Sequence, residues 1–126
     1  ISPIASIKEV QAQEPTPTPT QAPIVSQKEQ IIAEINQVFG TDAERGIRML
    51  GECENKELKT DVLNWNGDGT YDFGLWQINS VHGYSKEQLK DFRFNTKVAF
   101  EIIKKAGYSF SPWTCSDYAG DRPFWR

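Results

Sequence analysis

Residues Cys53 to Ser80 read CENKELKTDVLNWNGDGTYDFGLWQINS. Two kinds of order meet in this stretch. Up to Glu54 the chain keeps helical spacing, because Ala43, Ile47, Leu50 and Glu54 fall on one face of a helix. From Val62 the pattern alternates. Val62-Leu63-Asn64-Trp65 and Thr70-Tyr71-Asp72-Phe73 flank Asn66-Gly67-Asp68-Gly69, which is the signature of a β-hairpin.

Two carboxylates stand in contrasting settings. Glu54 occupies a position where the helical pattern predicts a core residue. Burial disfavours a charged carboxyl and raises its pKa, so Glu54 is a candidate proton donor near neutral pH. A helix that ended earlier would leave it an ordinary surface acid, as Glu52 and Glu57 read at their helical angles. In the second strand, alternation puts Thr70 and Asp72 on one face and Tyr71 and Phe73 on the other. Asp72 then sits among polar groups, which keep a carboxylate ionised. Cleavage of a glycosidic bond asks for one acid of each kind. Beyond Gly74, Gln77 and Asn79 interrupt the apolar LWQIN with donors and acceptors that suit sugar hydroxyls.

Upstream, residues 1–25 hold five of the seven prolines, including EPTPTPTQAP, where proline removes amide donors and fixes φ. This segment is expected to be a disordered, polyproline-II-like Pro/Thr-rich linker. Val10-Gln11-Ala12 has the small-residue pattern of a signal-peptidase site, consistent with a leader remnant. A domain is expected over 26–126. Ser26 with Glu29, and Thr41 with Glu44, form capping boxes. Between them Ile31, Ile35 and Val38 share a face that Ile32 and Phe39 widen, with Gly40 closing the helix in a left-handed conformation. Downstream, Ser85 with Gln88 starts a short helix, and Asp91 or Asn95 starts another. The last carries a core stripe of Val98, Ala99, Ile102, Ile103 and Ala106. Four to six helices and one hairpin predict an α+β fold.

Composition excludes several classes. A net charge of −3 argues against nucleic-acid binding, which needs a basic face. No run approaches the length of a transmembrane helix. The two cysteines, Cys53 and Cys115, are compatible with one disulfide or with two buried thiols.

The segment NWNGDGTYDFGLWQINS resembles the NxNxDGSTDYGxxQINS signature of C-type lysozymes. The preceding Cys-Glu-Asn resembles the Cys-Glu-Ser of transglycosylase SLT-like domains, and FNTKVAFEIIKKAGYSFSPWTCSDYAG resembles the helix and tail of the same lysozyme-like superfamily. The resemblance implies a lysozyme-like fold, with helices around a small hairpin and a cleft between them. It implies Glu54 as general acid/base and Asp72 as the second carboxylate, held by hydrogen bonds from Asn66 and Asn79. It places Asn64, Asn66, Gln77 and Asn79 at the saccharide, with Trp76 and Tyr118 as further substrate contacts. It also implies a Cys53–Cys115 disulfide, no cofactor and no metal. The expected partner is peptidoglycan or a related amino-sugar polymer, and the expected protein a secreted, cell-surface or periplasmic bacterial monomer.

Departures are specific. Val81-His82-Gly83-Tyr84 stands where lysozymes carry sugar-stacking tryptophans, so stacking passes to Trp65, Trp76 or Tyr84 unless those rings are core. One extra residue separates the acid from the hairpin, and one disulfide at most replaces several. The implied activity is that of a muramidase cutting the β-1,4 bond between N-acetylmuramic acid and N-acetylglucosamine. The alternatives are a lytic transglycosylase using Glu54 alone, and a non-catalytic saccharide-binding or calcium-binding module. Asn64 to Gly69 has calcium-loop oxygens at positions 1, 3 and 5, but position 12 is Leu75.

Overall fold

The computed structural model describes residues 25–121. Helix α1 (Gln27–Phe39) begins as expected at Ser26, whose hydroxyl accepts from the Glu29 amide while Glu29 reaches back to the Ser26 amide. It buries Ile31, Ile35 and Phe39. The linker and leader expected over 1–25 lie outside the described residues, apart from Val25.

The junction after α1 differs from expectation. Gly40 has positive φ but lies outside the left-handed helical region (φ 59°, ψ −122°). It opens a 3-10 turn, Gly40–Asp42, that feeds straight into α2 (Ala43–Met49). No side chain caps α2, so the Thr41–Glu44 box does not form. Continuous helical backbone through Asp42 leaves Thr41 without free amides to cap.

Helix α2 runs into a π-helical turn, Leu50–Glu54, closed by the Asn55 amide on the Leu50 carbonyl at 2.8 Å. Such a turn holds more residues than an α-turn and rotates the residues beyond it about the helix axis. Ahead of the turn, Ala43, Gly46, Met49 and Leu50 are buried and Ile47 packs half-buried against the same core, while Glu54, within the turn, leaves that row. Glu54 ends only partly buried.

The hairpin forms from β1 (Leu63–Trp65) and β2 (Tyr71–Phe73). A third strand, β3 (Ile78–Asn79), pairs antiparallel with β2, giving a sheet of order β1-β2-β3. The register aligns Asn64 with Asp72 and Asp72 with Asn79. Residues directly opposite share a face, so three polar side chains form one row across the sheet, with Asp72 in the middle. After the 3-10 turn Ser80–His82 come α3 (Lys86–Leu89), capped by Ser85 with Gln88, and α4 (Phe92–Lys105), capped by Asp91.

The core sits between α1, α2, α4 and the segment after β2. Trp76 is fully buried, stacked on Phe39 at 4.9 Å and edge-on to Trp113 at 6.1 Å. Its indole N–H donates to Thr96, and its backbone amide donates to Asn95 Oδ1 at 2.8 Å. Asn95 also donates to the Leu89 and Phe73 carbonyls, so one buried amide fastens the turn after β2 to α4. Gly74 makes that approach possible. A Cβ there would lie 2.3 Å from Asn95 Nδ2, at a φ of +84° that disfavours side chains. The α+β class expected from the sequence is the one observed.

Candidate active site

The cleft runs between the sheet row and the C-terminal segment. A cavity of about 310 Å³ is lined by Glu54 on one side and by Asn66, Asp68, Thr70, Asp72 and Asn79 on the other. Gln77, His82, Ile102, Pro112, Trp113 and Thr114 complete the wall.

Glu54 enters from the end of the π-turn. The next residue, Asn55, is buried and ties this end to the loop, donating to the Lys59 and Leu75 carbonyls at 2.7 and 3.1 Å. Cys53, just before, is bridged to Cys115 with the two Cα atoms 6.0 Å apart. The bridge brings residues 112–115 against the acid. Burial pushes the Glu54 carboxyl up to about 7, the negative charge of Asp72 adds to the rise, and a hydrogen bond from the Cys115 backbone opposes it. Glu54 Oε1 is buried without a protein partner. A buried oxygen with its hydrogen-bonding capacity unspent is the natural seat for a proton and the natural donor to an acceptor entering the cleft.

Asp72 is held differently from expectation. Asn79 donates to Asp72 Oδ1 at 2.9 Å, as the resemblance implied. Asn66 instead donates to Thr70 Oγ1 at 3.0 Å. Thr70 Oγ1 also accepts from Asn79 at 3.2 Å and donates to Asp68 Oδ1 at 2.7 Å. The reason lies in the register: Asn66 is past the end of β1, beside Thr70, whereas Asn64 is the residue opposite Asp72.

The other sequence-derived positions divide. Gln77 lies in the cleft wall, but its amide nitrogen is used on the Val62 and Gly74 carbonyls and its oxygen on Asn64 Nδ2 at 2.6 Å. It holds positive φ (53°), a conformation sustained by those bonds. Asn64 therefore reaches the cleft through Gln77 rather than lining it. Trp76, expected as a substrate contact, belongs to the core and exposes no ring face for a sugar. Tyr118 is exposed but lies outside the cavity wall. Of the alternative stacking rings, Trp65 is 65% exposed on the back of the hairpin, edge-on to Tyr71.

Thr70, Trp113 and Thr114 escaped the sequence reading. Thr70 carried a signal, since it shares a strand face with Asp72. The other two come from a loop whose position depends on long-range contacts, including the bond from Trp113 Nε1 to the Trp76 carbonyl at 2.7 Å. Among the described residues, no three His, Cys, Asp or Glu side chains converge as metal ligands, and no helix is long and apolar enough to cross a membrane.

Helices around a three-stranded sheet give the lysozyme-like architecture that the sequence implied, and Glu54, Asp68 and Asp72 bring three carboxylates into one cleft. Comparison with known families agrees: the model described as "Lysozyme like domain" matches residues 52–115, half of the chain, and the chain belongs to that family. The matched segment begins just before Glu54 and closes on Cys115, so it contains the cleft. Searches of curated proteins and of solved structures returned no match.

Proposed function

We propose that this protein is a secreted or wall-associated muramidase that hydrolyses the β-1,4 bond between N-acetylmuramic acid and N-acetylglucosamine in peptidoglycan. The supporting observation is the buried Glu54 oxygen, unpartnered, in the same cavity as Asp72. Glu54 protonates the leaving glycosidic oxygen. Asp72 stabilises the oxocarbenium-like transition state or forms the covalent glycosyl intermediate. Glu54, now ionised, then takes a proton from the attacking water. Asn79 orients Asp72, and Thr70, Asn66 and Asp68 hold the row beneath the sugar.

A second reading is lytic transglycosylation, in which the muramyl 6-hydroxyl replaces water and yields a 1,6-anhydro end. It is supported by the separate seat of Glu54, whose burial is the first cause of its raised pKa, ahead of the Asp72 charge. Digestion of purified peptidoglycan with mass spectrometry of the new ends distinguishes the two. Reducing ends as the main product support hydrolysis, and anhydro ends overturn it in favour of transglycosylation. Full wall-clearing activity in Glu54→Gln sinks both.

A further inference from the structure

The wall of the cleft facing the sheet row is a loop, and one arginine of α2 holds that loop at both ends. Pro112, Trp113 and Thr114 line the cleft, and the Cys115 backbone bonds Glu54. The segment carrying them closes on itself at Asp121, whose Oδ2 accepts from the Phe110 amide at 2.7 Å. Arg45 Nη1 donates to the same Asp121 oxygen at 2.9 Å and to the Ala119 carbonyl at 3.1 Å. Arg45 Nη2 donates to the Tyr108 carbonyl at 3.1 Å and to Asp42, just ahead of α2, at 2.9 Å. The guanidinium lies over the Phe110 ring, 5.0 Å from its centroid.

Reaching both ends at once takes a planar fork with several donors, which lysine lacks. The entry to the loop needs holding. Tyr108 has positive φ (62°), a conformation that a tyrosine keeps only where its surroundings impose it. Its carbonyl is bonded by Arg45, and its amide donates to the Ile103 carbonyl at 2.6 Å. Arg48, the next arginine along α2, donates to the Tyr118 carbonyl at 2.9 Å and so reaches one end of the loop alone. Arg45 itself does not line the cleft. The charged and titratable groups that share the cleft with Glu54 are Asp68 and Asp72 of the hairpin and His82 of the turn after β3; α4 and residues 112–114 contribute uncharged side chains.

We propose that Arg45 is a positioning residue: by clamping both ends of residues 108–121 it keeps Pro112, Trp113 and Thr114 closed over Glu54 and shields the acid from water. Its part in catalysis rests on the activity proposed above. The Cys53–Cys115 bridge keeps the Cys115 amide at Glu54 with or without the clamp, so loosening the loop acts through burial. Water then reaches the carboxyl, which titrates lower. Loss of a distant positive charge acts the other way, because a cation favours the ionised acid. The direction of the shift therefore separates the clamp from simple charge removal.

In the full chain, the Glu54 carboxyl is titrated by NMR and the alkaline limb of kcat/KM is measured on purified peptidoglycan. The comparison covers the unmodified protein, Arg45→Ala, Arg45→Lys and Ile35→Val. Arg45→Lys keeps the charge and loses the fork, whereas Ile35→Val weakens the buried face of α1 and leaves the bonds of the clamp in place. Titration and limb are expected to fall by about half a pH unit or more in both Arg45 variants and to stay in place in Ile35→Val. An unmoved or raised titration or limb in either Arg45 variant overturns the proposal, as does an equal fall in Ile35→Val. Peptidoglycan left uncut by the unmodified protein overturns the proposed activity instead, and the carboxyl titration by itself then decides whether the clamp shields Glu54.

Discussion

Asn79 Nδ2 lies 2.9 Å from Asp72 Oδ1 and 3.2 Å from Thr70 Oγ1, so a single amide joins the central carboxylate of the sheet row to the hairpin loop. Its own oxygen accepts from the Val81 amide, starting the turn that carries His82. A hydrogen bond to a charged group contributes about 1.5–3 kcal/mol, and an unsatisfied partner costs a similar amount. Asn79→Ala is expected to lower kcat by about tenfold or more and stability by about 1–2 kcal/mol. Asn66→Ala, which touches Thr70 rather than Asp72, should lower kcat less. Steady-state kinetics with urea unfolding of both variants checks the order, and a larger kcat loss in Asn66→Ala would contradict it.

The role proposed for Glu54 ties activity and stability to one titration, and both are expected to fall as pH rises through it. The folded pKa of Glu54, about 7, stands above the ordinary 4.5, so the fold favours the protonated form. That contribution is fully present below about pH 4.5 and is lost as pH rises through about 7. Discounted for partial solvent access, the loss is about 1–3 kcal/mol. Glu54→Gln keeps a neutral side chain of the same shape, so it should lack this loss while losing about 10²–10⁴-fold in turnover. Denaturant unfolding of both proteins at pH 5 and pH 8 tests this. Parallel stabilities across that range would refute the buried-acid assignment.

With Glu54 as the proposed proton donor, the same carboxyl is expected to set the pH profile. The alkaline limb of kcat/KM is expected near pH 7, with activity falling about tenfold per pH unit above it. The Asp72 charge contributes to the rise at Glu54, though less than burial does. Asp72→Asn should therefore shift the residual activity's alkaline limb to lower pH. A limb that moves upward in Asp72→Asn would be inconsistent with two carboxylates interacting in one cleft.

Gly74 tests the packing behind the site. Adding a methyl sets a Cβ 2.3 Å from Asn95 Nδ2 and 2.7 Å from the Leu89 carbonyl, at a φ that side chains disfavour. Gly74→Ala should cost about 3 kcal/mol or more. By contrast, a Cβ at Gly67 meets nothing within 4 Å, and Gly67→Ala should change stability by about 0.5 kcal/mol at most. Thermal unfolding of the two variants side by side is the measurement.

The Cys53–Cys115 bridge spans 62 residues of sequence, and closing a loop of that length stabilises by about 4 kcal/mol through the unfolded chain. Its removal also frees residues 112–115, and with them the Cys115 amide that opposes the rise at Glu54. Cys53→Ala with Cys115→Ala should lower the melting temperature by well over about 5 °C and move the alkaline limb to higher pH. Insensitivity of both unfolding and the pH profile to reductant would show that the bridge does neither.

What the chain spells out locally was legible without coordinates. The boxes at Ser26–Glu29 and Ser85–Gln88, the Asn66–Gly69 turn and the apolar stripe of α4 each rest on residues a few positions apart, whereas the choice of Asp91 over Asn95 as the cap of α4 was left to the structure. The partial burial of Glu54 did not come from an uninterrupted helical period, because the π-turn over Leu50–Glu54 shifts the phase just before the acid. Asn95 and Thr96 gave weak notice, as polar residues on the buried side of α4, and Trp76 gave none that separated core from sugar contact.

The primary structure thus determined α1, α4 and the hairpin, since caps, turns and alternation act over one or two turns of chain, and it marked Glu54 and Asp72 as candidates. Only the tertiary structure decided that Asn79 rather than Asn66 grips Asp72, that Trp76 faces inward, and that residues 112–115 close over Glu54. Those outcomes depend on strand register, a buried amide and a cross-link between segments distant in sequence. Their energies arise only once the whole core has assembled.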